Sequence, residues 1–432
     1  MVKRILLTTY GSLGDLHPYI SIALELKKRG YQTVIATSEL YRSDVEVEGI
    51  EFCPVRPDMS FLMNDGLGQE VIKRAMDPNK GSRYVICELV LPFLKDSYED
   101  LIQAVQGADL LITHPITFAG PIVAEKMGIR WFSSVLAPSS FLSIFDPPIL
   151  PNKSNKSLSS FGPLVNAILF SLGKRSIFSW SEPVRQLRVE LGLLPGKDPL
   201  FEGQHSPDLV LALFSQVFAE PQLDWPKQTD VTGFTFYTGW SSKTNLCREI
   251  LQFLDAGPPP LVFTLGSAAV LNAGDFYLES ALAAKQMGRR AILLTGKHES
   301  NIPQSLLSEN IVAFDYVPYS ELFPRAAAVV HQGGIGTTAQ ALKSGRPALI
   351  MPYGHDQPDN ATRAERLGVA RTIDRINYTA ERVAAELKQL LNNSNYAKQS
   401  VKVAQQIQAE DGVLAACDAI EAALASKQRS KN

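Results

Sequence analysis

The stretch His331-Gln332-Gly333-Gly334-Ile335-Gly336-Thr337-Thr338 decides the fold of this sequence. An apolar run, 328–330, precedes it, and residues 339–343 after it have helical spacing. Glycines between a strand and a helix let backbone amides approach an anion, and the N-terminus of the helix adds partial positive charge. Because the histidine and threonine side chains can donate to the same anion, the pattern predicts a diphosphate site. A tight turn that needs glycine for its dihedral angles is the structural alternative.

A second polar motif follows the next predicted strand and reads Gly354-His355-Asp356-Gln357-Pro358-Asp359-Asn360. Side chains at the C-terminal end of a strand lie where open α/β sheets bind ligands. Asp356 and Gln357 suit sugar hydroxyls, which both donate and accept hydrogen bonds. A helix N-cap at Asp359 is the alternative. A shorter motif, Leu265-Gly266-Ser267, also follows a predicted strand and could offer amides and a hydroxyl to the same phosphates.

Outward from these motifs, short apolar runs alternate with stretches of helical spacing in both halves of the chain. The runs lie at 4–9, 33–37, 109–113 and 130–135, and then at 261–265, 291–294, 311–315, 328–331 and 348–351. Strands that are apolar throughout and alternate with helices are typical of a parallel sheet covered on both faces. The sequence therefore predicts an α/β fold with two Rossmann-like domains.

The domain boundaries are predicted from shifts in composition. We predict an N-terminal domain over 1–222, a linker over 223–240 that is rich in Pro, Asp and aromatic residues, and a C-terminal domain over 241–410. Residues 411–432 comprise a helix and a polar tail, and we expect the helix to pack back on the N-terminal domain. Residues 138–181 interrupt the first domain with frequent prolines. A long insertion of this kind is uncommon in a compact domain unless it is functional.

Apolar side chains of the insertion form a candidate binding wall. Phe141, Ile144 and Phe145 predict a surface of the kind that lines ligand pockets. Lys174 and Arg175 lie further along the insertion, so a peripheral contact with an anionic membrane surface is a further expectation. The alternative is that these residues only close the core of their own domain.

The loop after the first predicted strand carries candidate proton acceptors. It reads Gly11-Ser12-Leu13-Gly14-Asp15-Leu16-His17-Pro18 and lacks the spacing of a dinucleotide fingerprint. Asp15 and His17 are candidate bases, although Asp15 could instead cap a helix and His17 could be a plain loop residue. His114 follows another strand of the same predicted sheet. In a parallel sheet it would emerge at the same edge as Asp15 and could pair with it.

Bulk properties exclude several classes of protein. The 432 residues carry a net charge of −2, whereas a nucleic-acid binder usually has a basic excess. The four cysteines are scattered, so neither a disulfide framework nor a zinc site is expected, and a reducing compartment such as the cytoplasm is the simplest inference. No segment reads as a signal peptide or a transmembrane helix. We expect a monomer or a weak dimer.

Together the motifs resemble the glycosyltransferase family that includes the UDP-glucosyl and UDP-glucuronosyl transferases. The resemblance rests on the 11–18 loop, on Tyr316-Val317-Pro318, on the 331–338 stretch and on residues 356–360. It covers nearly the whole chain and is greatest to the branch of sterol glucosyltransferases and of enzymes that glycosylate antibiotic aglycones. It implies the GT-B fold, with two Rossmann-like domains that face each other across the active-site cleft.

The resemblance also implies an activity and a site. It implies inversion at the anomeric carbon, no metal, no cofactor, a UDP- or TDP-sugar as donor and a lipophilic small molecule as acceptor. The expected catalytic residues are Asp15 and His114, which look swapped because many relatives carry His in the first loop and Asp later. The residues expected to bind the acceptor are His17, Phe141, Ile144 and Phe145. The residues expected to bind the donor are Gly14, Gly266, Ser267, Tyr316, Val317, His331, Gly333, Gly334, Gly336, Thr337, Asp356, Gln357 and Asn360.

Two positions depart from the family pattern. Tyr316 occupies the position where many relatives have a Trp that stacks on the base. Ala339 occupies the position that often carries a Glu that binds the ribose. A non-hydrolysing sugar-nucleotide epimerase on the same fold is one alternative function. A binding subunit that keeps the fold without turnover is the other.

Overall fold

The computed structural model describes residues 3–63, 66–149, 161–237, 239 and 246–426, which form two sheets of parallel strands. The N-terminal sheet has the order β3-β2-β1-β4-β5-β6-β7. Its strands are β1 (Arg4–Thr8), β2 (Gln32–Thr37), β3 (Glu51–Pro54), β4 (Leu110–Thr113), β5 (Arg130–Val135), β6 (Val210–Ala212) and β7 (Thr229–Val231). The helices of this part are α1 (Leu13–Lys28), α2 (Arg42–Glu46), α3 (Leu67–Ala75), α4 (Gly81–Arg83), α5 (Leu94–Ala104), α6 (Ala119–Met127), α7 (Pro163–Ile177) and α8 (Glu182–Glu190).

The C-terminal sheet has the order β10-β9-β8-β11-β12-β13. Its strands are β8 (Leu261–Thr264), β9 (Ala291–Leu294), β10 (Ile311–Phe314), β11 (Ala328–His331), β12 (Ala348–Ile350) and β13 (Ala370–Thr372). The remaining helices are α9 (Arg248–Asp255), α10 (Gly266–Ala269), α11 (Phe276–Gln286), α12 (Tyr319–Leu322), α13 (Ile335–Ser344), α14 (Gln357–Arg366), α15 (Ala380–Asn392), α16 (Ser394–Gln408) and α17 (Gly412–Ala425). The predicted α/β fold with two Rossmann-like domains is confirmed.

Both faces of each sheet are covered, which explains why its strands are apolar throughout. Successive residues of a strand point to opposite faces, so Ile5 and Leu6 belong to two different buried clusters. The first cluster contains residues of α1, and the second contains residues of α5 and α6. In the C-terminal sheet, Val262 and Phe263 are divided between two clusters in the same way. A strand with a polar face could not be buried on both sides at comparable cost.

Two segments, strand β7 and helix α17, belong to the N-terminal domain although they lie outside its predicted boundaries. Residues 229–231, predicted to lie in a linker, form the edge strand β7 of the N-terminal sheet, so the first domain extends beyond residue 222. This strand has three residues, none of them fully buried, so its sequence has no apolar run that would have identified it as a strand. Helix α17 returns from the C-terminal domain and packs on α1, where Ala416, Cys417 and Ile420 are fully buried.

Both sheets reverse their strand order next to their first strand. In the N-terminal sheet, β2 and β4 flank β1, and in the C-terminal sheet, β9 and β11 flank β8. In open α/β sheets, ligands bind in the crevice at the C-terminal ends of the strands where the order reverses. The first-strand loop and His114 lie at one such crevice, and Gly266 and Gln332 lie at the other.

Candidate active site

Asp15 and His114 come together at the crevice of the N-terminal sheet. Asp15 lies in the first turn of α1, and His114 directly follows β4. The His114 backbone N–H donates to the Thr8 carbonyl at 3.0 Å, which extends the ladder between β1 and β4 by one residue. His114 Nε2 then lies 3.4 Å from Asp15 Oδ1. The parallel sheet thus places the two side chains as the sequence predicted.

The bonding of His114 assigns its tautomer. His114 Nδ1 accepts a hydrogen bond from the backbone N–H of Ile116 at 3.4 Å, so the proton of the neutral ring belongs on Nε2. This proton faces Asp15 Oδ1. His114 therefore orients the carboxylate as a donor and leaves the carboxylate to accept a proton from elsewhere.

The electrostatic surroundings keep Asp15 ionised. Burial would raise the pKa of Asp15, but the hydrogen bond from His114 and the donors of Ser12 outweigh it, and the pKa is lowered. The side chain still exposes 31% of its surface, so an acceptor can reach it. A carboxylate that is both charged at neutral pH and accessible is a competent general base.

Asp15 also caps the helix on which it lies. Its Oδ2 accepts from the Ser12 backbone N–H at 2.7 Å and from Ser12 Oγ at 3.1 Å, which completes a capping box with Ser12 as the N-cap. The structural alternative weighed for Asp15 is therefore real. Capping uses Oδ2, and Oδ1 is the atom that faces His114, so the two roles use different oxygens.

The glycine stretch forms a compact turn between β11 and α13. Gly333 has a φ of 88°, and a Cβ there would lie 2.9 Å from Ile350 Cγ2. Gly266, from the loop after β8, has a φ of 67° and faces this turn. A Cβ on Gly266 would lie 2.5 Å from Gln332 Nε2 and 3.3 Å from Thr337 Oγ1. Both glycines are needed for the close approach of the loops, as well as for their dihedral angles.

The side chain of His331 lies behind the glycine turn. His331 is fully buried, and its Nδ1 accepts from the Gly333 N–H at 3.0 Å. Its ring lines a small internal recess with Leu342 and Val369, behind the turn. Burial lowers the pKa of His331 to about 3, so the ring is neutral. The imidazole thus holds the turn from inside, and Gln332 is the side chain that faces Gly266.

Gln332 was missed as a candidate because it lies between the more prominent histidine and glycines. Its Nε2 lies beside Gly266 and Gly334, and its Oε1 is buried without a hydrogen-bond partner among the described residues. Neighbouring residues at a strand end point to opposite sides. Since His331 faces inward, Gln332 had to face the crevice, and this alternation was the signal that could have found it.

The 354–360 motif arranges a second loop against the glycine turn. Asn360 Nδ2 donates to the Gly333 carbonyl at 2.9 Å and to Asp356 Oδ2 at 2.7 Å. Gln357 Oε1 accepts from the Tyr353 N–H at 2.9 Å, so its oxygen organises its own loop. Burial, together with the charge of Asp15, raises the pKa of Asp356 to about 7. Of the three polar residues of this motif that were predicted to bind the donor, Asp356 is partly exposed, and Gln357 and Asn360 are buried.

The two crevices face each other. A Cβ on Gly336, in the first turn of α13, would lie 3.8 Å from the Cα of Gly14, in the first turn of α1. The N-termini of two helices therefore meet in the cleft, and both favour an anion between them. The negative charge of Asp15 also contributes to the raised pKa of Asp356, which lies on the opposite domain.

The remaining donor candidates are divided between surface and core. Tyr316 exposes 60% of its surface beyond β10, and its ring centroid lies 6.4 Å from that of Tyr319, whereas Val317 is fully buried in the domain core. Ser267 is exposed in the short helix α10. Thr337 is buried beside Gly266, and Thr338 shares the internal recess with His331.

Two of the acceptor candidates pack within the protein. The His17 ring lies 4.7 Å from the ring of Tyr237, and burial lowers the pKa of His17 to about 4. Phe141 stacks on Trp225 with ring centroids 4.1 Å apart and on His205 at 5.4 Å. Phe141 therefore closes a core that contains residues of both domains. Stacking against distant residues is invisible in a local sequence pattern.

The other acceptor candidates lie beside an exposed apolar helix. Phe145 is exposed and Ile144 is half-buried, and the Ile144 carbonyl accepts from Asn166 Nδ2 at 2.9 Å, which attaches α7 to the insertion. Along α7, Leu164, Ile168 and Leu172 expose 84%, 61% and 62% of their surfaces. Large apolar side chains exposed together on one helix can mark a binding surface.

The basic end of α7 is partly neutralised. Lys174 pairs with Glu202 and lies 4.8 Å from the ring centroid of Phe201. The attraction to an anionic membrane expected from Lys174 and Arg175 is therefore weaker than the sequence suggests. No helix within the described ranges is long and apolar enough to cross a membrane.

A buried ion network joins the insertion to helix α14 and was not predicted. Arg363 Nε donates to Asp359 Oδ2 at 2.7 Å, and its Nη1 donates to Asp146 Oδ2 at 2.5 Å. Asp359 also accepts from the Ile149 N–H at 3.0 Å. The Arg363 and Asp359 side chains are 5% and 1% exposed. Asp359 therefore links the two domains. The N-cap alternative weighed for it is wrong, because Asp359 lies inside α14 and the N-cap residue is Asp356.

Comparisons with known proteins agree with this geometry. Residues 289–415 match the family description "Erythromycin biosynthesis protein CIII-like, C-terminal domain", and residues 5–145 match "Glycosyltransferase family 28 N-terminal domain". The chain is 30% identical to O-mycaminosyltylonolide 6-deoxyallosyltransferase of Streptomyces fradiae, over 97% of each chain. It is 27% identical to sterol 3-beta-glucosyltransferase of Candida albicans, over 96% of this chain and 27% of that protein.

Solved structures share the fold. The glycosyltransferase of kitacinnamycin superposes with a TM-score of 0.71 at 19% identity and covers 98% of this chain and 99% of its own. The spinosyn rhamnosyltransferase complexed with thymidine diphosphate superposes with a TM-score of 0.65 at 15% identity and covers 97% of this chain and all of its own.

Two Rossmann-like domains, with a glycine turn on one side of the cleft and a carboxylate–imidazole pair on the other, define a glycosyltransferase of the GT-B type. The similarity to the Streptomyces fradiae enzyme extends over 97% of each chain and not only over one domain. The chain belongs to the UDP-glycosyltransferase family, in the branch of the sterol glucosyltransferases and antibiotic glycosyltransferases.

Proposed function

We propose that this enzyme transfers a hexose, with inversion, from a UDP- or TDP-sugar to a hydroxyl of a lipophilic small molecule. The observation that carries the proposal is the position of the Asp15–His114 pair across the cleft from the glycine turn. A base on one domain and an anion site on the other suit a reaction that joins an acceptor to a nucleotide-bound sugar.

The proposed reaction is a direct displacement. Asp15 takes the proton from the acceptor hydroxyl while His114 Nε2–H holds the carboxylate in place. The acceptor oxygen forms a bond to the anomeric carbon as the bond from that carbon to the diphosphate oxygen breaks. Because attack and departure lie on opposite faces of the sugar, the configuration inverts. The proton then leaves Asp15 to solvent.

The leaving group is assigned to the glycine turn. Gln332 Nε2 and the backbone amides at the start of α13 offer donors where negative charge grows on the diphosphate, and preorganised donors of this kind usually contribute most to catalysis. His331 contributes indirectly, since its bond to the Gly333 N–H sets the turn. Asp356 is assigned to the sugar hydroxyls, and Tyr316 offers its exposed ring to the base.

The nucleotide is left open between UDP and TDP on structural grounds. Ala339 is buried and has no group that could accept a hydrogen bond from a ribose hydroxyl. The site thus lacks a means to prefer ribose over deoxyribose at this position. One solved relative was crystallised with thymidine diphosphate.

The lipophilic acceptor is supported by the surface beside the cleft. Ile144, Phe145 and the exposed side chains of α7 form an apolar surface on the N-terminal domain, which holds the proposed base. The relatives named above act, by their names, on O-mycaminosyltylonolide and on sterols. A hydrophobic acceptor would cover apolar surface that otherwise contacts water, at about 25 cal/mol for each Å².

We further propose that turnover needs no metal. Backbone amides, Gln332 and two helix N-termini face the proposed diphosphate, and these can neutralise its charge. We expect turnover to be unchanged in EDTA. Loss of activity in EDTA, restored by Mg²⁺ or Mn²⁺, would contradict this proposal.

A panel of donors and acceptors tests the function. UDP-glucose, TDP-glucose and deoxysugar nucleotides would be incubated with sterols, polyketides, carotenoids and flavonoids, and with water-soluble sugars as the control class. Mass spectrometry detects transfer, and NMR of the product reports the anomeric configuration. Glycosylation of the hydrophilic sugars alone would refute the acceptor class. Epimerisation of the donor without acceptor, or binding without turnover, would refute transfer itself.

A further inference from the structure

His355 has a backbone conformation that calls for an explanation. Its φ is 57°, and Leu142 is the only other non-glycine residue with a positive φ among those the structure describes. The left-handed region costs a residue with a Cβ about 1–2 kcal/mol relative to glycine. Glycine precedes it at 354, so the chain could have used glycine here too. Interactions of the histidine side chain can offset this cost.

The His355 ring contacts the opposite domain. Its Nε2 lies 2.9 Å from the Ala75 carbonyl, and its Nδ1 lies 3.3 Å from Ser82 Oγ. A carbonyl only accepts hydrogen bonds, so Nε2 carries the proton, and Nδ1 accepts from the Ser82 hydroxyl. Both partners belong to the N-terminal half of the chain, whereas His355 belongs to the C-terminal half.

The partners lie on one ordered segment, residues 67–83, which we term the clasp segment. Asp77 Oδ1 accepts from the backbone N–H groups of Asn79 and Lys80 at 2.8 Å each, which closes the turn after α3. A Cβ on Gly81 would collide with the Ala75 carbonyl, so only glycine permits this turn. The turn presents Ala75 O and Ser82 Oγ on the same side.

The clasp segment also packs on the C-terminal domain. Met76 packs against the buried cluster that contains Val270 and Tyr353. A Cβ on Gly354 would lie 3.6 Å from the Met76 carbonyl. The clasp segment therefore covers the loop after β12 from the side of the N-terminal domain, and His355 makes hydrogen bonds at this contact.

We propose that His355 is a positioning residue that fixes Asp356 for the donor sugar only when the two domains are closed. The inference rests on the proposed function, because Asp356 is there assigned to the sugar hydroxyls. His355 and Asp356 are adjacent in the chain, so the left-handed turn held by Ala75 and Ser82 sets the direction of the Asp356 backbone. Asn360 then holds the Asp356 carboxyl at 2.7 Å. Separation of the domains releases the ring and with it the turn.

Two variants separate the ring from the backbone conformation. His355→Gly keeps access to the left-handed region and removes both hydrogen bonds. Ser82→Ala removes one of them at an exposed position in the clasp segment. Ser43→Ala, at an exposed serine of α2 in the same domain, is the matched control. Circular dichroism melts establish that each variant is folded.

Calorimetry with UDP, TDP, UDP-glucose and TDP-glucose is the primary measurement. Since Asp356 is assigned to the sugar, His355→Gly should weaken binding of the preferred sugar nucleotide about tenfold, as expected for two lost hydrogen bonds. Binding of the matching diphosphate should change less than about twofold. Ser82→Ala should give a smaller loss in the same direction and no further loss in the His355→Gly background. In steady-state kinetics, this weaker binding should appear as a higher KM for the donor.

The outcomes separate this inference from the proposed function. Equal weakening of sugar nucleotide and diphosphate would overturn the positioning role, as would His355→Gly binding and turnover like the wild type. Additive effects of the two substitutions would show that Ser82 does not act through His355 and would also overturn it. A wild-type protein that binds none of the four ligands would instead overturn the proposed function, and this inference with it.

Discussion

Asp15→Asn is the substitution that most directly tests the proposed chemistry. It removes the charge that accepts the proton and keeps the size of the side chain. The Asn oxygen can take the two hydrogen bonds that Ser12 makes to Oδ2 at 2.7 and 3.1 Å, so the helix cap survives. The Asn amide then faces His114 Nε2–H, donor against donor, across the present 3.4 Å.

The expected loss of turnover is large and specific. Removal of a general base typically costs about 10²–10⁴-fold in rate, which corresponds to about 3–5 kcal/mol of transition-state stabilisation. The free energy of unfolding should fall by no more than about 1 kcal/mol, because the cap is retained. Diphosphate affinity should stay close to that of the wild type, since the glycine turn lies on the other domain.

The assay combines turnover at saturating donor with calorimetric binding of UDP or TDP and a denaturant melt. Ser12→Ala is the matched control, because it removes the N-cap oxygen and keeps the Asp15 carboxylate. We expect it to cost about 1 kcal/mol of stability with a much smaller loss of turnover. Wild-type turnover in Asp15→Asn would reduce Asp15 to a helix cap. Equal losses in the two variants would assign the effect to loop geometry.

Three further results are expected. The raised pKa of Asp356, about 7, means that the folded state binds this proton more tightly than the unfolded state. We therefore expect the free energy of unfolding to fall as pH rises toward 7, and the donor KM to fall over the same pH range as the carboxylate forms. Denaturation and kinetic measurements on Asp356→Asn should show neither trend. Gly266→Ala should displace Gln332 and weaken UDP or TDP binding about tenfold by calorimetry, since its φ is 67° and the new Cβ would meet the amide. Arg363→Met should lower the free energy of unfolding by about 3–5 kcal/mol in urea because Asp359 would be buried without its cation, and an unchanged midpoint would contradict the network.

The sequence was informative wherever a local pattern had a single physical cause. The runs that became β8 and β11 are apolar throughout because both sheet faces are covered, and the glycines after them are required by positive φ and close approach. Asp15 and His114 could be paired because parallel strands end at one edge. These inferences need only the period of a strand and the direction of a sheet.

Other features depend on contacts that a linear pattern does not contain. The direction of the His331 ring is set by its bond to Gly333, and the position of the Gln332 amide beside Gly266 could not be derived from the motif alone. The sequence pattern placed Phe141 in a binding wall, but it could not indicate that the ring stacks on Trp225. The ion pair between Asp146 and Arg363 joins residues far apart in the chain, and no spacing rule links them.

The return of α17 to the first domain has a consequence for how the chain folds during synthesis. The buried cluster around α1 includes Ala416, Cys417 and Ile420, and Arg29 pairs with Asp418 and Glu421. Domains generally fold in the order in which the ribosome releases them. Here the first domain is translated first but is completed only when α17 is added, after the whole second domain has been synthesised. We therefore expect the nascent first domain to expose the apolar surface around α1 until α17 has been synthesised.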